Sequence, residues 1–148
     1  MGATTGYGPD TIVVGVDGSA SGRTALRWAA EEARRRTLQL HVVRVVDAGV
    51  GGLGLGGAEA LAAEMAAARE VLAGDVTDLA RDLVVTSEVV CGAPGGALVE
   101  IAGTAAMLVV GPRRHGAVGS AILGSVSAFC THHSRCPVVV VARSTELV

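Results

Sequence analysis

Residues 11–19 read TIVVGVDGS, and this stretch contains the junction on which the predicted fold depends. The first six residues are β-branched apart from one glycine, a composition typical of a short buried strand. Asp17, Gly18 and Ser19 follow as a turn, and Ser19 belongs to the residue types that favour a helix N-cap. We therefore predict a strand over residues 11–16 that turns directly into a helix.

Beyond this junction, strand-like and helix-like patterns alternate along the chain. The sequence predicts helices over residues 20–36, 58–82, 94–104 and 121–133, and strands over 38–46, 83–90, 107–110 and 137–141. The strands are near-continuous apolar runs, which is typical of strands buried on both faces of a parallel sheet. This alternation predicts an α/β fold with a doubly wound parallel sheet, although periodicity leaves the strand order open.

Composition limits the classes of function. Of the 148 residues, 50% are hydrophobic but only 2% aromatic, so the core must be aliphatic. The net charge of -2 gives no reason to expect nucleic acid or an anionic membrane as a partner. All 12 basic residues are arginine, which excludes a Schiff-base lysine and a P-loop lysine. No signal peptide or membrane span is recognisable, so we expect a cytoplasmic protein.

Two segments carry candidate ligand-binding residues at the carboxyl ends of predicted strands, where ligands bind in open parallel sheets. Asp17, close to Gly15, can accept a hydrogen bond from a ligand amine, or it can simply cap the next helix. In the second segment, Gly111 ends a strand, and Gly124 and Ser125 precede the last helix. Free N–H groups and the positive helix dipole bind phosphate at such positions.

The stretch over residues 109–141, VVGPRRHGAVGSAILGSVSAFCTHHSRCPVVVV, resembles the universal stress protein family. That family has a Gly after the fourth strand, a second Gly after two further residues, then nine residues, Gly-Ser/Thr, a helix and a Pro-Val-rich last strand. This chain matches at Gly111, Gly124, Ser125 and Pro137. Its VGVDGS segment is similar to the family's first strand, and the resemblance covers residues 11–142.

The resemblance implies an architecture as well as a family. It implies a five-stranded parallel sheet in the order 3-2-1-4-5, which is Rossmann-like and of the adenine nucleotide alpha hydrolase type. The domain would span residues 11–142, between tails of residues 1–10 and 143–148. Family members form homodimers by pairing their last strands, so we expect a two-fold dimer through the edge strand that begins at Val138 and ends at Val141.

The resemblance also implies a function, that of a stress-response module that binds an adenine nucleotide. ATP is the expected ligand, with Mg²⁺ as its companion, and no catalytic residue is expected, although slow ATP hydrolysis is left open. Asp17 and the backbone of Val45 would meet the adenine. The full set of expected ligand contacts is Gly15, Asp17, Val45, Gly111, Arg113, Arg114, Gly124, Ser125, Val126 and Ser127.

One departure from the family pattern leaves a second hypothesis open. Arg114 stands where the ATP-binding members have glycine, and an arginine in a left-handed conformation there would cost about 1–2 kcal/mol. Arg113 and Arg114 can instead bind phosphate oxygens through their side chains. The alternative is a nucleotide-free dimeric interaction protein of the same fold.

Two further motifs receive plainer interpretations. Gly52-x-Gly54-x-x-Gly57 resembles a dinucleotide fingerprint, but it follows the second strand and lies in a low-complexity run, so we interpret it as a loop beside the pocket. Cys130, His132, His133 and Cys136 offer metal-ligand types without the paired-cysteine spacing of zinc sites. We interpret them as residues of a packed helix end.

Overall fold

A computed structural model describes residues 6–47, 57–112 and 123–142, which form five strands and four helices. In chain order these are β1 (Thr11–Val16), α1 (Ala20–Arg36), β2 (Gln39–Val46), α2 (Gly57–Leu79), β3 (Val85–Cys91), α3 (Pro94–Ala102), β4 (Met107–Val110), α4 (Ser125–His133) and β5 (Val138–Val140). None of the described helices is long and apolar enough to cross a membrane.

The five strands form one sheet in the order β3-β2-β1-β4-β5, and every pairing is parallel. Successive residues of β1 face opposite layers of the molecule, as the two-residue period of a strand requires. Ile12 and Val14 pack with α1 and α2, whereas Val13 packs with α3 and α4. The predicted α/β fold and strand order are confirmed.

Helix α1 shows why small residues suit the helix that follows the first strand. Its buried face is made mostly of alanine, spaced three and four residues apart, so the helix axis can lie close to the sheet. Three arginines occupy its last turn, where positive charge is favourable beside the helix C-terminus. The helix ends at Thr37, which adopts a left-handed conformation with φ 57°.

Several predicted boundaries differ from the structure. Helix α2 ends at Leu79 rather than near residue 82, α3 ends at Ala102 rather than near residue 104, and β5 spans Val138–Val140 rather than residues 137–141.

The two largest shifts at the start of an element are in α4 and β3. Helix α4 begins at Ser125 rather than near residue 121, because Gly124 is extended (φ -76°, ψ 175°) and acts as the N-cap. Strand β3 begins at Val85 rather than at Leu83, which packs against the core below α1 and α2 instead of pairing with β2. In both places an apolar residue, Leu123 before α4 and Leu83 before β3, fits the pattern of the element that follows but lies outside it.

A close backbone contact fixes the end of α3 to the segment before β1. Gly103 has φ 54° and ψ -119°, and a Cβ atom there would lie 2.5 Å from the Cα of Gly6. The N–H of Tyr7 donates to the carbonyl oxygen of Ile101 at 3.1 Å, and the N–H of Thr104 donates to the carbonyl oxygen of Tyr7 at 3.0 Å. Only glycine satisfies both the positive φ and the space.

We predict that Gly103→Ala lowers the free energy of unfolding by about 2–5 kcal/mol, because the positive φ costs about 1–2 kcal/mol and the overpacking about 1–3 kcal/mol. Gly96→Ala is the matched control, since Gly96 lies within α3 and a Cβ there would meet nothing within 4 Å. The control should be neutral or stabilising by up to about 1 kcal/mol. Urea denaturation measures both, and equal effects would contradict the assignment.

Candidate functional site

A cavity of about 920 Å³ opens at the carboxyl ends of the central strands. Its described walls come from four places: the β1–α1 turn, the end of β2 with one side chain of α2, the first turns of α3, and the segments that follow β4 and precede α4. The helices that contribute to these walls lie on both faces of the sheet, α1 and α2 on one face and α3 and α4 on the other. The cavity therefore straddles the sheet edge, where the crossovers to opposite faces diverge.

The β1–α1 turn places a carboxylate at the cavity wall. Oδ1 of Asp17 accepts hydrogen bonds from the backbone N–H of Ser19, at 3.0 Å, and from its hydroxyl. The Ser19 hydroxyl oxygen in turn accepts from the N–H of Gly22 at 3.1 Å, so Ser19 is the N-cap of α1. Asp17 thus supports the cap without being the cap, and it lines the cavity at the same time.

The position of the Asp17 carboxylate depends on Gly22, although no sequence motif points to this glycine. A Cβ atom at Gly22 would lie 2.9 Å from Oδ1 of Asp17 and 3.1 Å from the Asp17 nitrogen. Any larger residue would displace the carboxylate from the helix start. Sequence reasoning missed Gly22 because its requirement arises from a contact across the turn, not from its own backbone angles.

The end of β2 leaves a backbone acceptor at the wall of the same cavity. The N–H of Gln39 donates to Asp10, on the β1 side, and the carbonyl of Val46 accepts from Gly92, on the β3 side. Because strand residues alternate, the carbonyl of Val45 points to the β1 side. The β1–β2 register ends at Val16 and Arg44, so this carbonyl lies past the last paired residue.

The opposite end of the cavity is rich in donors. Helix α4 has no side-chain cap at Gly124, and its first N–H groups have no acceptor within the helix. The hydroxyl of Ser127 donates to the Gly124 carbonyl at 3.2 Å, so this side chain bonds back to the start of its own helix. Gly111 lies close to α1, where a Cβ atom would meet the carbonyl and hydroxyl oxygens of Ser21 at 3.1 Å.

The structure brings most of the predicted ligand contacts together around this one cavity. Eight of them line it, namely Gly15, Asp17, Val45, Gly111, Gly124, Ser125, Val126 and Ser127. Arg113 and Arg114 lie outside the described residues. Sequence reasoning missed Arg44 and Glu64, which also line the cavity. The period-two pattern of β2 places Arg44 on a definite face, but the sequence does not show what that face meets.

The cysteine and histidine residues near the end of α4 have ordinary packing roles. Cys130 is fully buried, and burial, with a smaller effect of nearby Cys136, raises its pKa to about 11. His133 stacks on Phe129 at 4.1 Å, and its Nδ1 lies 3.1 Å from the Phe129 carbonyl oxygen. Within the described residues, no three His, Cys, Asp or Glu side chains are grouped as a metal site would require.

Comparison with known proteins identifies the family. The model of the universal stress protein family matches residues 9–142. A universal stress protein of Mycobacterium tuberculosis, Rv2005c, is 35% identical over 143 residues, covering 88% of this chain and 47% of the relative. The chain belongs to the universal stress protein family. It spans about half the length of the curated relatives that it matches.

Solved universal stress proteins share the fold. One, determined in complex with cAMP, is 26% identical with a TM-score of 0.57, and the match covers 91% of this chain and 98% of that one. Another, from Archaeoglobus fulgidus in complex with dAMP, is 24% identical with a TM-score of 0.64, covering 90% and 96%. The second likeness concerns the fold alone. Both proteins carry an adenine nucleotide.

Proposed function

We propose that this universal stress protein domain binds an adenine nucleotide, ATP foremost, in the cavity at the carboxyl edge of its sheet, and acts as a non-catalytic stress-response module. The observation that carries the proposal is the polarity of the cavity. The Val45 carbonyl and the Asp17 carboxylate supply acceptors toward the β2 end, where Arg44 is the one described cation, and the start of α4 supplies a row of backbone donors at the other end. The base of a nucleotide suits the first end and its phosphates suit the second.

At the base end, the acceptors favour a ligand with an exocyclic amine. The Val45 carbonyl and the Asp17 carboxylate both line the cavity, and a carbonyl and a carboxylate are hydrogen-bond acceptors. The 6-amino group of adenine supplies two N–H donors. Guanine and hypoxanthine carry an oxygen at that position, which cannot donate to the Val45 carbonyl oxygen.

At the phosphate end, the start of α4 supplies the recognition. Ser125, Val126 and Ser127 present N–H groups at the positive end of a helix dipole, the usual setting for an anion. Strands β2 and β4 flank β1, so the two ends are separated by two strand spacings, about 10 Å. That separation suits a base at one end of a nucleotide and a phosphate at the other.

The family supports the same ligand class, since the 26% identical universal stress protein was determined with cAMP. We propose that Mg²⁺ accompanies ATP on its phosphates, as is usual for this cation. Ser19 engages the Asp17 carboxylate at the start of α1, which supports a positioning and binding role for this carboxylate in preference to catalysis. We also propose that the domain functions inside the cytoplasm.

We predict that ATP at about 100 times its Kd raises the melting temperature by about 5–10 °C, because binding to the native state alone adds about 2.7 kcal/mol. Asp17→Asn should reduce this shift to half or less, since the amide places a donor where the amine needs an acceptor. Asp78→Asn is the control, because Asp78 is exposed on α2 and does not line the cavity. Differential scanning fluorimetry with ATP, AMP and cAMP measures all three proteins.

The substitution Arg114→Gly separates this proposal from the nucleotide-free alternative. If Arg114 binds phosphate, the shift with ATP becomes smaller in the variant. If Arg114 blocks the cavity, the parent shows no shift with any of the three nucleotides and the variant gains one. The second result would favour a nucleotide-free dimeric protein of the same fold.

We propose, in addition, a homodimer through β5. The strand order leaves β5 at the edge of the sheet, and its three valines are half-buried. Pro137 and Val141 bond with β4, and alternation then directs the N–H groups of Val138 and Val140 away from β4. An apolar edge with free donors is suited to pairing with a second copy.

We predict that the parent protein sediments as a dimer at micromolar concentration and that Val140→Pro shifts it to a monomer. Proline removes one outward N–H and leaves the bonds to β4 intact, a substitution that edge strands tolerate. Val140→Thr keeps the N–H and should stay dimeric. A parent that sediments as a monomer, or a Val140→Pro variant that remains a dimer, would contradict this interface.

A further inference from the structure

Arg44 is placed by strand geometry at the wall of the cavity, on the face of the sheet that carries α1 and α2. It is the residue of β2 paired with Val16, the last residue of β1. Leu40 and Val42, which precede it at two-residue intervals, pack into the core beneath those helices. Arg44 therefore points to the same side, but it lies at the carboxyl end, where the core gives way to the cavity.

The Nε–H of Arg44 lacks a hydrogen-bond partner among the described residues. This nitrogen is buried, and no ion pair joins the guanidinium group to a described carboxylate. By contrast, Arg34, which is more exposed, bonds to Asp82 at 3.0 Å. A buried donor without an acceptor destabilises the native state, so such a group in a native structure needs an explanation.

The backbone makes room for this unpaired group. Gly18 has φ 83°, and a Cβ atom there would lie 2.8 Å from Nη1 of Arg44. Any other residue at this position would be strained and would also push the guanidinium away. The β1–α1 turn thus packs against the Arg44 guanidinium at Gly18, and Arg44 stands one residue before Val45 along the chain, at the end of the cavity to which we assign the base.

We infer that Arg44 contacts the ligand and determines its specificity by donating a hydrogen bond to a ring nitrogen of the bound adenine; this inference rests on the proposed function. Arginine is a donor only, whereas the neighbouring Val45 carbonyl is an acceptor only. The two side by side match adenine, in which the 6-amino donor is flanked by the ring acceptors N1 and N7. An acceptor on the ligand would give the Nε–H of the Arg44 guanidinium a hydrogen-bond partner, which it lacks among the described residues.

The test compares Arg44→Met with Arg27→Met by isothermal titration calorimetry, using ATP and adenosine as ligands. Arg27 is exposed on α1 and does not line the cavity. Arg44→Met should weaken both ligands at least ten-fold, and Arg27→Met should weaken neither. The melting temperature of ligand-free Arg44→Met should equal or exceed that of the parent, because methionine retains the apolar stem and removes the unpaired donor.

Base analogues identify the atom. Of 1-deaza- and 7-deazaadenosine, one should bind the parent at least ten-fold more weakly than adenosine does, with no such loss in Arg44→Met. A loss confined to ATP would assign Arg44 to phosphate and overturn the inference. So would a lower melting temperature with unchanged affinity, which is the signature of a structural residue. If the parent binds neither ATP nor adenosine, the proposed function fails as well; if only the Arg44 effect is missing, the proposed function stands.

Discussion

The point at which β1 stops pairing with β2 determines the rest of the carboxyl edge. The parallel register runs from Thr11 to Val16 and ends opposite Arg44, while β2 continues to Val46 against β3. Beyond that point the chain of β1 turns through Gly18 into α1, and the backbone of β2 faces open space. The gap that this leaves at the carboxyl edge adjoins the switch point between β1 and β4, where an open α/β sheet binds a ligand, and it leaves the Val45 carbonyl past the last paired residue.

Holding the gap open requires small residues at close approaches. Gly15 lies against Leu98 of α3, since a Cβ atom there would come within 2.8 Å of a Leu98 methyl carbon. Gly18 accommodates Arg44, and Gly22 accommodates the Asp17 carboxylate. Three glycines in eight residues therefore place an acid, a guanidinium and a helix start around one space. A protein under selection for stability alone would fill such a space and would pair the arginine.

Much of this fold could be predicted from local sequence, because periodicity and capping chemistry act locally. Strand β1 and helix α1 have the predicted bounds, since a β-branched run, a turn and a Ser N-cap agree there. The strand order came from family resemblance instead, because pairing between distant segments leaves no periodic signal. The start of α4 was placed too early, since an apolar run before Gly124 suits a helix equally well.

The candidate site was predicted less completely, for a related reason. The glycines and Asp17 carry motif signals, whereas Arg44 resembles any charged residue in a strand until its surroundings are known. Its importance lies in a partner that is missing among the described residues, and only a three-dimensional structure reveals that. Gly22 is similar, because its contact with Asp17 spans a turn whose shape the sequence does not specify.

We propose that one nucleotide spans the cavity from the end of β2 to the start of α4. Chemical-shift perturbation of the ¹⁵N-labelled protein by ATP tests this most directly. The account predicts that the amides of Val46, Ser125 and Val126 shift together with a single saturation curve, and that those of exposed α2 residues such as Asp78 stay in place. Saturable shifts located elsewhere, or shifts at only one end of the cavity, would contradict it.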